Sequence, residues 1–488
     1  MHGNFGFRIF VYIIELAIIG SWSVSADAQE RQPIRIDVSE AIYGPPPLSC
    51  EQALAISAED QATRDPVVQS NEPVASAQHG PESVDAEADE VMGRMRVRLN
   101  GSRASALPGG RPQTLPVRPL EGTPEDLAAV ASVLQGAASG HRVRISVFGA
   151  SHTGADFFTG HLRRLLQREF GDIGHGFVYP AALYTGYRGS DINLCRSDGW
   201  QSDWVGRSEG RGDGLHGFAG ASVSSSDPAD FGWLETTHTN INGRNVSYFD
   251  LFTLEQPDGG TLLVTVDEVP PRAIFTESEE LGLSWHRVEV PRGSHRLTLQ
   301  PLGDGEVRIF GVSAEVEGAG VLVDSMGIRG RTARTWLFWN PEMALRGLQA
   351  LGPDMVVLAY GTNEAADTNY RMGQYREDLR QVLRMMRRGA PDAACILVGP
   401  TDRGFWVGRN TIDIFERTAM VAQVQREVAP EYGCVFWDWQ LAMGGEGSIA
   451  AWQLTEPRLS SRDLIHLTQA GYELSADQFL DAIRLTTY

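Results

Sequence analysis

The chain has 488 residues, 42% hydrophobic and 21% charged, a globular composition too apolar for wholesale disorder and long enough for about three structural units. Its 42 basic residues face 62 acidic ones, and a formal charge of −20 argues against a partner held through nucleic-acid phosphates. Every basic residue is arginine, so Schiff-base chemistry, a Ser–Lys dyad and a phosphate-loop lysine are all excluded.

In chain order, an apolar run over 9–19 follows Arg8 and leads to Ser25-Ala26-Asp27-Ala28. A short apolar stretch before a small-x-small site is the pattern of a secretory signal peptide, here residues 1–28, cleaved after Ala28. The run is too short to span a bilayer comfortably. The mature protein is therefore expected to lack a membrane span and to be periplasmic or secreted. Residues 29–122 hold 11 of the 25 prolines and read as a Pro/Ala-rich linker, in which Met95-Arg96-Val97-Arg98-Leu99 alternates like a single strand.

The four cysteines, Cys50, Cys195, Cys395 and Cys434, show no metal-ligand spacing. There is no His-Glu-x-x-His, and no Gly-x-Gly-x-x-Gly opens a helix after a strand. No metal, nucleotide or redox cofactor is expected. One or two disulfides are compatible with the count, and the spacing does not assign them.

After the linker, Val143-Arg144-Ile145-Ser146-Val147-Phe148 is a strand signal that stops at Gly149-Ala150-Ser151. Phe158, Leu162, Leu165, Leu166 and Phe170 then recur on one helical face. A strand, a turn of small residues and a helix lift the Ser151 hydroxyl to the C-terminal edge of a parallel sheet, although a serine there also suits a helix N-cap. Further strands are expected at 354–360, closed by Gly361-Thr362-Asn363-Glu364, at 395–399 and at 434–437, with a helix on Tyr375, Leu379, Val382, Leu383 and Met386 between the first two. Alternating strands and helices predict a doubly wound α/β sheet. Near the end comes Asp463-Leu464-Ile465-His466, then Thr468 as the cap of a last helix. Asp and His three apart can touch within one turn. The carboxylate can then orient one ring nitrogen and leave the other to accept a serine proton.

Taken in order, these segments resemble the four blocks of the SGNH (GDSL-like) hydrolase superfamily. The resemblance implies a serine esterase with Ser151, His466 and Asp463 as its triad. It implies an oxyanion hole from Ser151, Gly330 and Asn363, with Gly327 one short turn from Gly330. The first block departs from the family's Gly-Asp-Ser, having Ala150 in place of the aspartate.

Between the first two blocks, 219–318 is rich in glycine, aromatics and short alternating runs, which predict an inserted β-sandwich. The hydrolase is thus expected in two parts, 123–218 and 319–488. This order resembles periplasmic peptidoglycan O-acetylesterases carrying an inserted carbohydrate-binding-like domain. The resemblance implies removal of O-acetyl groups from a cell-wall glycan or other polysaccharide. A lipase or thioesterase, an acetyltransferase and a non-catalytic glycan-binding protein are the alternatives. Trp233, Trp285 and Tyr248 read either as sugar-stacking residues or as core. Arg329, Arg331 and Arg334 read either as steering an anionic glycan or as paired with carboxylates.

Overall fold

A computed structural model describes residues 115–487 except 180–186, 188, 207–209, 238–241 and 409–410, together with short strands at Ile34–Arg35 and Arg96–Arg98. The expected signal peptide and most of the expected linker lie outside the described residues. Among the described residues, no helix is long and apolar enough to cross a membrane.

Strands buried on both faces need helices on both faces, and the central sheet is built in this way. Its strands are β1 (Arg142–Gly149), β2 (Gly320–Gly327), β3 (Met355–Ala359), β4 (Ala394–Val398) and β5 (Cys434–Trp437). They pair in the order β2-β1-β3-β4-β5, every pair parallel. Met355 and Val357 pack toward helices α1 (Pro124–Ala138), α2 (Phe157–Phe170) and α6 (Gln469–Arg484). Val356 and Leu358 pack toward α3 (Pro341–Leu351), α4 (Met372–Gly389) and α5 (Arg417–Val428). The period-2 alternation of one apolar strand thus feeds two cores, and the sheet is doubly wound. The strand order reverses at β1, so the crevice where such sheets bind ligands opens at the C-terminal ends of β1 and β3.

The pairing left open by cysteine spacing follows from register. Cys395 in β4 lies directly opposite Cys434 in β5, and the two form a disulfide. Cys195 is also disulfide-bonded.

Between β1 and β2 the chain makes two stacked antiparallel sheets that share one core, including Phe249, Leu251, Leu262, Leu297 and Ile309. One sheet contains Gly282–Gly293, Val246–Glu255, Val307–Glu315, Ala221–Ser225 and Gln201–Trp204, with Gly174–Val178 on Val307–Glu315. The other runs Arg272–Phe275, Thr261–Val266, Arg296–Pro301, Gly232–Thr236 and Ile192–Arg196. The short alternating runs expected within 219–318 correspond to strands lying between Ala221 and Glu315. The antiparallel strands nevertheless begin at Gly174, well before residue 219. The early ones are short, and their polar and glycine residues mask the alternation.

A buried ionic network fastens these sheets to the central one. Arg144 on β1 donates to Asp324 on β2 at 2.9 Å and also pairs with Glu315. Asp324 accepts Ser146 Oγ at 2.6 Å and the Phe177 N–H at 2.9 Å. Glu315 accepts the Tyr248 hydroxyl at 2.7 Å and pairs with Arg142. Burial alone would raise the Glu315 carboxyl, but Arg144 and Arg142 outweigh it and bring it down to about 2.

Removing the guanidinium leaves two buried carboxylates under-compensated, a loss of about 3–5 kcal/mol. Arg144→Met should lower unfolding free energy by that amount in urea titrations, and a change below about 1 kcal/mol would contradict it. Glu315 is depressed on folding, so its contribution is present above its ordinary value of 4.5 and is lost as pH falls toward about 2.

Candidate active site

The first turn of the site is set by close packing at three strand ends. A Cβ on Gly149 would lie 2.1 Å from Thr153 Oγ1 and 2.7 Å from the Ala359 carbonyl; one on Gly327 would lie 2.1 Å from the Gly154 nitrogen. Only glycine lets β1, β2 and β3 converge here. Ser151 opens the short helix Ser151–Gly154 immediately beyond that junction. Ala150 is buried, and its carbonyl accepts the Gly154 N–H at 2.9 Å.

From the far end of the sequence, residues 461–467 fold into a loop over this turn. Asp463 Oδ1 accepts the N–H groups of Ile465 and His466, both at 2.9 Å, so the carboxylate organises its own loop. Leu464 adopts φ 58°, left-handed and rare for a bulky residue, and its side chain is fully buried. Its carbonyl accepts the Gly404 N–H at 3.0 Å. Thr468 caps α6 as expected, its side chain accepting the Gly471 N–H.

These two pieces meet. His466 Nδ1 is 2.6 Å from Asp463 Oδ2, and His466 Nε2 is 2.8 Å from Ser151 Oγ. With Nδ1–H donating to the carboxylate, Nε2 is the acceptor for the serine O–H. Burial pushes the Asp463 carboxyl up, but the hydrogen bond and charge of His466, with the backbone donors, hold it well below the usual range. It stays ionised opposite the ring.

A second histidine, not singled out from sequence, lies against the first. His152 is buried with its ring centroid 5.3 Å from that of His466. Its Nδ1 is 2.9 Å from the Tyr472 hydroxyl and its Nε2 3.3 Å from Thr401 Oγ1. Burial, then the neighbouring His466, pushes its pKa down to about 3, so it is a neutral wall behind the half-buried His466 ring.

The segments that carry Gly330 and Asn363, which follow β2 and β3, lie side by side. Asn363 Nδ2 donates to the Arg331 carbonyl at 2.8 Å, next to Gly330, which has φ 69° and open space where a Cβ would stand. Gly327, the alternative, is filled in against the Ser151 turn. Glu364 ties the two segments together, with Oε1 accepting the Ala333 N–H at 2.8 Å and Oε2 the Gly361 N–H at 2.9 Å. Burial raises it to about 7 against the pull of those donors.

The other sequence candidates have structural partners. Trp233 is buried beneath the Arg296 guanidinium, and Tyr248 is buried beneath that of Arg287. Trp285 is half-buried and packs against the shared core. Arg331 donates to the Gly206 carbonyl at 2.7 Å, and Arg334 pairs with Asp378 at 3.3 Å. Asp203, Asp213 and His216 group their ligand atoms within 4.8 Å, but Arg308 lies 2.6 Å from Asp213 and 3.5 Å from Asp203 and already supplies positive charge there.

Residues 310–474, which include Gly330, Asn363, Asp463 and His466 but not Ser151, match the GDSL-like Lipase/Acylhydrolase family. A solved structure of a peptidoglycan O-acetylesterase is similar over 75% of this chain and 97% of its own, with 26% identity and a TM-score of 0.61. A family two carbohydrate esterase from Cellvibrio japonicus aligns over 61% of this chain and 98% of its own at 10% identity, and its TM-score of 0.25 carries no weight. No curated protein matches the sequence. The family match and the first structure support an ester-hydrolysing enzyme of the acetylesterase type.

Losing one oxyanion donor typically costs about 2.7–4 kcal/mol of barrier. With Asn363 in the oxyanion role that the sequence resemblance implies, Asn363→Ala should slow acetyl-ester turnover by about 10²–10³, with a stability loss of only about 1 kcal/mol from the missing bond to Arg331. An unchanged turnover number would remove Asn363 from the site.

Proposed function

We propose that this chain is an extracytoplasmic serine esterase that removes O-acetyl groups from a cell-wall glycan through an acyl-enzyme. The observation that carries the reading is the continuous chain of contacts from Asp463 through His466 to Ser151, at 2.6 Å and 2.8 Å. His466 Nε2 takes the hydroxyl proton as Ser151 Oγ attacks the acetyl carbonyl, and Asp463 offsets the charge on the ring. The oxyanion develops against the Ser151 N–H, the Gly330 N–H and the second Nδ2 hydrogen of Asn363. His466 then protonates the departing sugar oxygen. Water, deprotonated by the same nitrogen, attacks the acetyl-serine; the bond to Ser151 Oγ breaks, His466 returns the proton to that oxygen, and acetate leaves.

Ala150 does not remove any part of this machinery, because the three reacting groups and the three donors lie elsewhere. Similarity to a peptidoglycan O-acetylesterase supports the glycan clause. The Cys395–Cys434 disulfide supports an oxidising compartment.

A fluorophosphonate should label the wild-type chain once and leave Ser151→Ala unlabelled, while acetate appears from O-acetylated glycan only with the wild type. Mass spectrometry and acetate assay read the two outcomes. A strong preference for octanoyl over acetyl esters would overturn the acetyl reading, and labelling of Ser151→Ala would overturn the nucleophile.

A further inference from the structure

Large apolar side chains exposed in succession are uncommon on this surface, and one such run borders the site. In the hairpin Gly404–Gly408 and Thr411–Ile414, Phe405, Trp406 and Val407 are 42%, 43% and 45% exposed. Successive strand residues point to opposite faces, so the outer strand shows apolar groups to solvent on both sides, while Ile412 and Ile414 of its partner strand, which also pairs with Arg96–Arg98, are buried in the core. Such exposure has no role in packing the core, and it is of the kind that marks a contact surface.

The hairpin is fastened to both halves of the site. Trp406 Nε1 donates to the Arg462 carbonyl at 3.0 Å, one residue before Asp463. Gly404 N–H donates to the Leu464 carbonyl at 3.0 Å, inside the Asp463–His466 loop. Arg403, at the hairpin's base, donates to the Thr362 carbonyl at 3.2 Å, one residue before Asn363, and covers the Phe415 ring. Phe405 meets the same Phe415 ring edge-on at 6.2 Å. The Trp406 indole is thus held in place beside the catalytic loop. Its only hydrogen-bond donor is spent, and what it offers a ligand is a flat ring face.

We propose that Trp406 is the stacking platform for a sugar ring of the acetylated glycan, seating the alcohol side of the ester against the Asp463–His466 loop. The inference rests on the esterase reading above and adds the residue that selects the polymer. A pyranose presents a face of C–H groups that packs on an indole while its hydroxyls stay in water. An acyl chain would need an enclosed apolar groove. The strand Gly404–Gly408 offers an open surface at Phe405, Trp406 and Val407 and no enclosed groove, and a described cavity of about 400 Å³ is lined instead by residues such as Gly206, His216 and Asn340.

The test uses soluble O-acetylated peptidoglycan fragments and two readouts. By calorimetry on the Ser151→Ala background, adding Trp406→Ala should weaken fragment binding about tenfold, and Trp406→Phe should restore most of it. In otherwise wild-type protein, Trp406→Ala should lower the ratio of kcat/KM on fragments to that on p-nitrophenyl acetate by about tenfold. Unchanged fragment binding, or an unchanged ratio, would overturn the platform. A selective loss on octanoyl esters would also overturn it, assigning the hairpin to an acyl chain. Trp406-dependent binding by a protein that releases no acetate from the fragments would uphold the platform and sink the esterase reading.

Discussion

Gly149 and Gly327 leave no space for a side chain where β1, β2 and β3 end together, and that contact fixes the turn from which Ser151 projects. A single methyl at either position would meet backbone or side-chain atoms at 2.1 Å, far inside van der Waals contact. The convergence has a topological cause. β1 is the strand at which the sheet order reverses, so its neighbours β2 and β3 depart in opposite directions and leave a crevice above it. Ser151 sits at the C-terminal end of β1, Gly330 follows β2 and Asn363 follows β3. Three strand ends in register thus deliver three of the proposed groups to one rim, without any of them being near another in sequence.

The remaining groups arrive by a different device. Asp463 and His466 lie on a loop before the last helix, and the loop is held by its own carboxylate, by the buried Leu464 side chain in a left-handed conformation and by the hairpin backbone at Gly404. Opposite it, Glu364 and Asn363 bind the segment after β3 to the segment after β2. Each half of the proposed site is therefore internally braced, and the first meets the Ser151 turn at the Ser151–His466 contact. His152, neutral and buried, separates that contact from the core. The hairpin that carries Trp406 touches both halves.

Much of this was legible in the amino-acid sequence because it is local. The apolar strand runs, the helix faces and the Thr468 cap depend on neighbours in the chain, and the residues Ser151, Asn363, Asp463 and His466 fall in short ordered motifs. What escaped depends on partners hundreds of residues apart. Arg144 alternates with apolar residues as though it faced solvent, yet it is buried between Glu315 and Asp324. His152 looks like one more residue of the serine turn until Tyr472 and Thr401 close around it. The strands Gly174–Val178, Ile192–Arg196 and Gln201–Trp204 are four or five residues long, and the last two lie at sheet edges, so their alternation is weak. The aromatic residues also misdirect. Trp233 and Tyr248, in a segment rich in strand signals, are covered by arginines, whereas Trp406, in a short run with no motif, is open.

The central claim is that a hydroxyl, an imidazole, a carboxylate and three nitrogen donors from separate parts of the chain surround one reacting carbon. A crystal structure of the covalent phosphonate adduct measures this directly, because its phosphoryl oxygen stands where the oxyanion would develop. The expected result is phosphorus bonded to Ser151 Oγ, with that oxygen about 2.7–3.1 Å from the Ser151 nitrogen, the Gly330 nitrogen and Asn363 Nδ2. An adduct whose phosphoryl oxygen points into solvent, away from Gly330 and Asn363, would contradict it.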